Sequence, residues 1–322
     1  MAVRPLSVGA RKSAPPGAPR QTEPLGVKAR FRVPSDAGRY STRRVRARFL
    51  LPFLSTLSLF SLPGQGSAST TALPRFGPTG QWLRQDTPQG ASYLQVPAGC
   101  AVRLCPLVVV SHPRGQTAER MRDSVQMNGL IAPLLAANFA VLLGGDGGPT
   151  GWGSPAALTE VALAHASAVR TFPWNGRTYA LGISMGGLLA LRSSLPGAPY
   201  AVSGVALIDA WVDLSAAWGS ALSRRSEIEA AYGVLGAPGN EFDPLYLTLL
   251  GPRLPLFIAS SPDDSTVSAT RNSARLSPHA DPALSEVIPL RGEHLGANRF
   301  TPGMAARLVA FLKRLEGPTA QR

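Results

Sequence analysis

From residue 80 onward, short apolar runs alternate with stretches of helical periodicity, the pattern of a mostly parallel sheet with helices on both faces. Residues 107–111 (LVVVS) and 139–143 (FAVLL) are apolar at every position but the last serine, as strands buried on both sides are. Residues 81–86 and 92–96 are more polar and fit an exposed antiparallel pair. Helical periodicity runs over 119–137, with Pro133 marking a break or a new start. It runs again over 155–171, where Ser154 is the cap and Pro155 lies in the first turn. Further strands are predicted at 177–183, 204–208, 255–260 and 284–290, and a closing helix at 302–315. One piece breaks the rhythm. Residues 211–251 follow a strand, exceed a simple crossover, carry Trp211, Trp218, Tyr232, Phe242 and Tyr246, and are helical around 223–232. Such an insertion is either a short lid over a cleft or an ordinary surface helix with its loop.

The strand at 177–183 leads into candidate chemistry. Residues 179–191 read YALGISMGGLLAL, so Ser184 sits where a strand hands over to a helix, inside a GxSxG motif. A serine on such a sharp turn tolerates no side chain two residues before or after it, which Gly182 and Gly186 satisfy. The helix beginning behind it aims the Met185 N–H, and the positive end of the dipole, at an oxygen that turns negative when Ser184 attacks a carbonyl.

A nucleophilic serine needs a base and the base needs an orienting group. Of four histidines, His294 lies in RGEHLGA between the last strand and the last helix, where the loop returns to the sheet edge beside Ser184. His112 ends the LVVVS strand, His165 sits in a helix among alanines, and His279 lies in a polar loop. For the acid, residues 257–267 (FIASSPDDSTV) are a strand ending in a loop with two carboxylates. Asp264 is the choice, Asp263 its near rival, and Asp209, at the end of the preceding strand, comes third.

With these residues in place the chain resembles the α/β-hydrolase family, over nearly all of residues 80–316. The order Ser184, Asp264, His294 is the family's order. Asp264 with Val267 three residues on is similar to its acid loop, and Gly292, Glu293, His294 to its histidine loop. The SHPRG segment resembles the family's HGxG-type loop, which implies a second oxyanion donor at the Arg114 N–H beside that of Met185. Pro113 stands where glycine is usual and has no N–H to give. The glycine-rich stretch LGGDGGPTGWGS, residues 143–154, is similar to the loop after the family's fourth core strand and is given a structural role. The resemblance implies an eight-stranded, mostly parallel sheet, a two-step acyl transfer, and a small-molecule or lipid-like ester as substrate. A peptidase or amidase of the same fold is the enzymatic alternative, and a non-catalytic binding protein the other. No metal cluster or phosphate-cradling loop is present in the sequence, so no cofactor is expected.

Charge and composition separate the chain into parts. The net charge of +13 is concentrated before residue 69, where 12 Lys and Arg face 2 acidic residues; the remainder holds 20 against 17. Those basic residues lie in a Pro-, Gly- and Ser-rich prefix with almost nothing to form a core, which argues against nucleic-acid binding. They are followed by FLLPFLSTLSLFSL and then by Gly66, Ser67 and Ala68, the order of a signal peptide over 45–68: charge, apolar run, cleavage site. The apolar run is too short for a spanning helix, which needs about 20 residues. No stable membrane span is therefore expected after cleavage, and the enzyme domain, 69–322, is expected in the periplasm or outside the cell. Residues 1–44 read as translated upstream sequence, with Val45 the best-placed true start. Cys100 and Cys105 fit an exported protein as a small disulfide loop, free buried thiols being the alternative.

Overall fold

The computed structural model describes residues 80–317. The proposed extension, signal peptide and cleavage site lie outside them. Among the described residues, no helix is long and apolar enough to cross a membrane.

The chain opens with an antiparallel hairpin, β1 (Trp82–Thr87) and β2 (Gly90–Gln95). The core then builds through β3 (Cys105–Ser111), α1 (Ala118–Arg122), α2 (Val125–Ala136), β4 (Ala140–Leu143) and α3 (Pro155–Ala168). Next come β5 (Trp174–Ile183), α4 (Gly186–Arg192) and β6 (Val205–Ile208), which leads into the insertion with α5 (Leu214–Ser220), α6 (Leu222–Tyr232) and α7 (Pro244–Leu249). The chain closes with β7 (Leu256–Ser260), α8 (Ser273–Leu276), β8 (Glu286–Pro289) and α9 (Pro302–Glu316). The strands form one eight-stranded sheet in the order β1-β2-β4-β3-β5-β6-β7-β8. The β1–β2 and β2–β4 pairs are antiparallel and all others parallel.

Alternation along the strands assigns the two faces. Val108, Val110, Leu181 and Ile208 pack with α2 and α9, while Leu107, Val109, Leu142 and Leu207 pack with α3, α4 and α7. Strand β3 is buried at all seven positions because β4 and β5 flank it and helices cover both faces. Cys100 and Cys105 are disulfide-bonded at its entrance.

Two local expectations are corrected. Only β1 of the hairpin is exposed: Ala91 to Leu94 of β2 are buried, because β2 also pairs with β4 and lies against α1. The helical stretch breaks at Asp123 and Ser124, not at Pro133. The Ser124 hydroxyl accepts from the Met127 N–H at 3.3 Å and starts a new helix, while Pro133 sits inside α2. Losing one helical donor there is offset by the buried face of Leu130, Ile131 and Leu134.

Candidate active site

Strand β5 delivers Ser184 to the C-terminal edge of the sheet with a φ of +51°, a left-handed conformation costly for a side chain. Its neighbours enforce the turn. A Cβ on Gly186 would lie 2.2 Å from the Ser111 carbonyl oxygen, and one on Gly182 would lie 2.6 Å from Gly187 Cα. The turn is held by the Ser184 N–H on Ile208 O at 3.1 Å and the Trp211 N–H on Ser184 O at 2.9 Å.

From the far side of the sheet edge, the loop after β8 brings His294 Nε2 to 2.8 Å from Ser184 Oγ. His294 Nδ1 lies 2.7 Å from Asp264 Oδ2. A carboxylate can only accept, so Nδ1 carries the proton and Nε2 is left to accept from the serine hydroxyl. Burial pushes the Asp264 carboxyl up, yet the bonds from His294 and from the Val267 and Thr266 N–H groups outweigh it and hold it below its ordinary value.

The other two aspartates weighed for the acid grip the same loop elsewhere. Asp263 accepts from the Gly292 N–H at 3.0 Å, and Asp209 from the Leu295 N–H at 2.8 Å. Three carboxylates thus hold the main chain before the histidine, its ring, and the main chain after it. Asp209 is itself fixed by Arg299 at 2.7 Å, both side chains being fully buried. The remaining Arg299 donors bind the carbonyls of Arg291 at 2.7 Å and Gly292 at 3.2 Å and the Asn298 Oδ1 at 2.5 Å.

Opposite His294 runs the loop after β3. Its His112 N–H donates to the buried Asp146 carboxylate at 2.8 Å, and its Gly115 N–H to Pro149 O at 2.8 Å. The glycine-rich segment is the anchor of this loop. Burial raises the Asp146 carboxyl to about 6 despite the opposing influence of His112 and its bonded donors. Among the described residues, neither the Met185 nor the Arg114 N–H donates to a protein acceptor.

Solved structures similar to this chain include an S-formylglutathione hydrolase from Agrobacterium tumefaciens. It is 15% identical with a TM-score of 0.55, over 73% of this chain and 94% of that one. Est1E from Butyrivibrio proteoclasticus is 14% identical with a TM-score of 0.54, over 73% and 98%. The Pyrococcus furiosus esterase PF2001 is 15% identical with a TM-score of 0.53, over 74% and 91%. The fold is that of the α/β-hydrolases. No protein-family model and no curated protein matches the sequence.

On this fold the insertion after β6 packs onto the elbow. Trp211, Leu214, Ala217 and Ile228 bury themselves against Trp152, Met185 and Leu188. Glu227 of α6 takes both Arg114 Nε, at 2.7 Å, and Trp152 Nε1, at 3.0 Å, and its carboxyl is held below its ordinary value chiefly by Arg114. Between the insertion, α1–α2 and the histidine loop lies a cleft of about 350 Å³ that reaches Ser184 and His294. Met121, Met127, Trp152, Trp211 and Phe300 give it apolar walls; Gln116, Ser124, Gln126, Thr266, Arg114 and Arg224 supply polar ones.

Asp209, Asp264 and His294 bring ligand-type atoms within 4.8 Å of one another, the spacing of a cation site. The donor set does not fit one. Arg299 already neutralises Asp209, and Asp264 is engaged by two N–H groups and by the imidazole. Of the other histidines, His165 bonds Thr178 Oγ1 at 2.8 Å and stacks on Tyr200; burial lowers it to about 4. His112 is fully buried beneath its loop, and His279 lies in a short turn after α8.

Proposed function

We propose that the protein is a serine hydrolase of carboxylic esters. The observation that carries this reading is the unbroken chain from Ser184 Oγ through His294 to Asp264, at 2.8 and 2.7 Å, on an elbow whose serine has positive φ. Ser184 Oγ attacks the ester carbonyl carbon as His294 Nε2 takes its proton, and Asp264 stabilises the imidazolium and its tautomer. The negative carbonyl oxygen is received by the Met185 and Arg114 N–H groups. Collapse of the tetrahedral species expels the alcohol, which leaves with the proton from His294. Water, activated by the same imidazole, then releases the acid and restores Ser184. The similar S-formylglutathione hydrolase, Est1E and esterase PF2001 support esters as the substrate class.

A fluorophosphonate probe tests the reading. It should label the protein at Ser184, and Ser184→Ala should abolish both labelling and p-nitrophenyl ester hydrolysis while leaving Tm nearly unchanged. An unlabelled wild-type protein points instead to a binding protein on this fold; activity surviving Ser184→Ala moves the nucleophile elsewhere.

The protein also reads as exported. Support comes from the order of charge, apolar run and small residues over 45–68 and from the Cys100–Cys105 disulfide, a bond suited to an oxidising compartment. Mass spectrometry of the cellular protein should find an N-terminus near Ser69; native peptides spanning residues 11–30 would overturn it.

A further inference from the structure

The cleft beside Ser184 contains an unbalanced cation. Its wall includes two arginines and no acidic residue. The two guanidinium groups differ sharply in their partners. Arg114 is bound through Nε and Nη2 to the Glu227 carboxylate. Arg224, one turn earlier on the same helix α6, has no carboxylate within ion-pair distance among the described residues. Among the described residues its side chain donates from Nη1 to the Ser220 hydroxyl at 2.9 Å, and its Cζ lies 5.4 Å from the centre of the Trp211 ring. An arginine side chain carries five N–H donors in a planar fork suited to a carboxylate. Most of that capacity is unused here.

The neighbouring acids of α6 are committed. Glu227 serves Arg114 and Trp152, and Glu229 accepts from Trp218 Nε1 at 3.1 Å and from the Gly236 N–H at 3.1 Å. Arg224 is also half-buried, and burial together with the nearby Arg114 charge disfavours its charged form, against Glu227 and Asp264. Apolar rings on the walls weaken screening in the cleft, so an arriving anion gains more there than at an open surface.

We propose that Arg224 is a specificity residue that binds a carboxylate carried by the substrate, so that the preferred esters are anionic ones. This rests on the ester-hydrolase reading above. No covalent step changes: Ser184 attacks the ester carbonyl, while the second, unreacting carboxylate is held by Arg224 on the Trp211 side of the cleft.

Matched ester pairs test it: mono-p-nitrophenyl adipate against p-nitrophenyl hexanoate for charge in the acyl part, and 3-acetoxybenzoate against phenyl acetate for charge in the alcohol part. In at least one pair, Arg224→Gln should lower kcat/KM for the anionic ester about 10-fold to 100-fold more than for its neutral partner, the range of a charge-assisted hydrogen bond. Arg224→Lys should restore part of that ratio, and added salt should erode it in the wild type. Equal losses within both pairs would show a merely structural arginine and overturn the proposal. Binding supplies a readout independent of turnover: adipate dianion should bind wild-type protein and lose about tenfold or more in affinity in Arg224→Gln, whereas equal affinity refutes the assignment. A wild-type protein that hydrolyses neither neutral ester and takes no fluorophosphonate label would defeat the hydrolase reading instead, with the binding arm still deciding the role of Arg224.

Discussion

Replacing Arg299 by Met tests whether the histidine loop is held by a buried ion pair. The substitution keeps the length of the side chain and removes its donors. It leaves Asp209 as a fully buried anion whose remaining described partner is the Leu295 N–H at 2.8 Å. Removing one member of such a pair costs about 3–5 kcal/mol, because the other charge stays in the interior uncompensated. The carbonyls of Arg291 and Gly292 lose donors as well, which places the loss toward the upper end. For a folded part of this size each kcal/mol moves Tm by about 2–4 °C, so a fall of roughly 6–20 °C is expected in a reversible thermal melt. Activity should fall further than the melt implies, since His294 sits one residue before the anchored Leu295. A shift of about 1 Å in a reacting group can cost about 100-fold in rate. The double variant Asp209→Leu, Arg299→Met should recover much of the stability, as apolar replacements of buried pairs often do, without recovering p-nitrophenyl ester hydrolysis. The reasoning is refuted if Arg299→Met melts within 3 °C of wild type, or if the double variant is no more stable than the single one.

Two further outcomes follow from the carboxylates. Asp264→Asn should lower kcat by about 10⁴-fold through the wrong histidine tautomer, while Asp263→Asn, which touches only the Gly292 N–H and the neighbouring Arg291, should cost less than about tenfold; the reverse order would transfer the acid by one position. Asp146 titrates at about 6 when folded against an ordinary 3.8, so the native state binds more protons between these values and stability declines as pH rises through them. Asp146→Asn should therefore gain on the wild type by about 2 kcal/mol between pH 4.5 and 8 in urea melts, and a pH-independent difference would show that the buried anion is not the cause.

What could be read from sequence was whatever is encoded locally. Eight apolar or alternating runs became eight strands, and the GxSxG glycines lie where a Cβ would strike Ser111 and Gly187. Positions decided by competing local signals were harder: at 123–133 a capping serine prevailed over a proline because the Ser124 hydroxyl starts a new helix, while burial held Pro133 in place. Choosing among Asp263, Asp264 and Asp209 required the loop geometry, since each is a plausible acceptor at a strand end. Asp146, Arg224, Glu227 and Arg299 gave no sequence signal. Their meaning is a partner far along the chain: 113 positions separate Arg114 from Glu227, and 90 separate Asp209 from Arg299.

The Arg114–Glu227 link has a consequence for evolution and for engineering. Arg114 lines the cleft that reaches Ser184 and gives its side chain to the insertion, so one residue belongs to both parts of the molecule. An insertion without an acid at position 227 would leave Arg114 a second free cation in the cleft. The insertion is thus not an exchangeable module. Changes in it that alter substrate choice must either keep an acid at 227 or be matched by a change at 114, and directed libraries that vary the two positions together should yield active variants that single-site libraries miss.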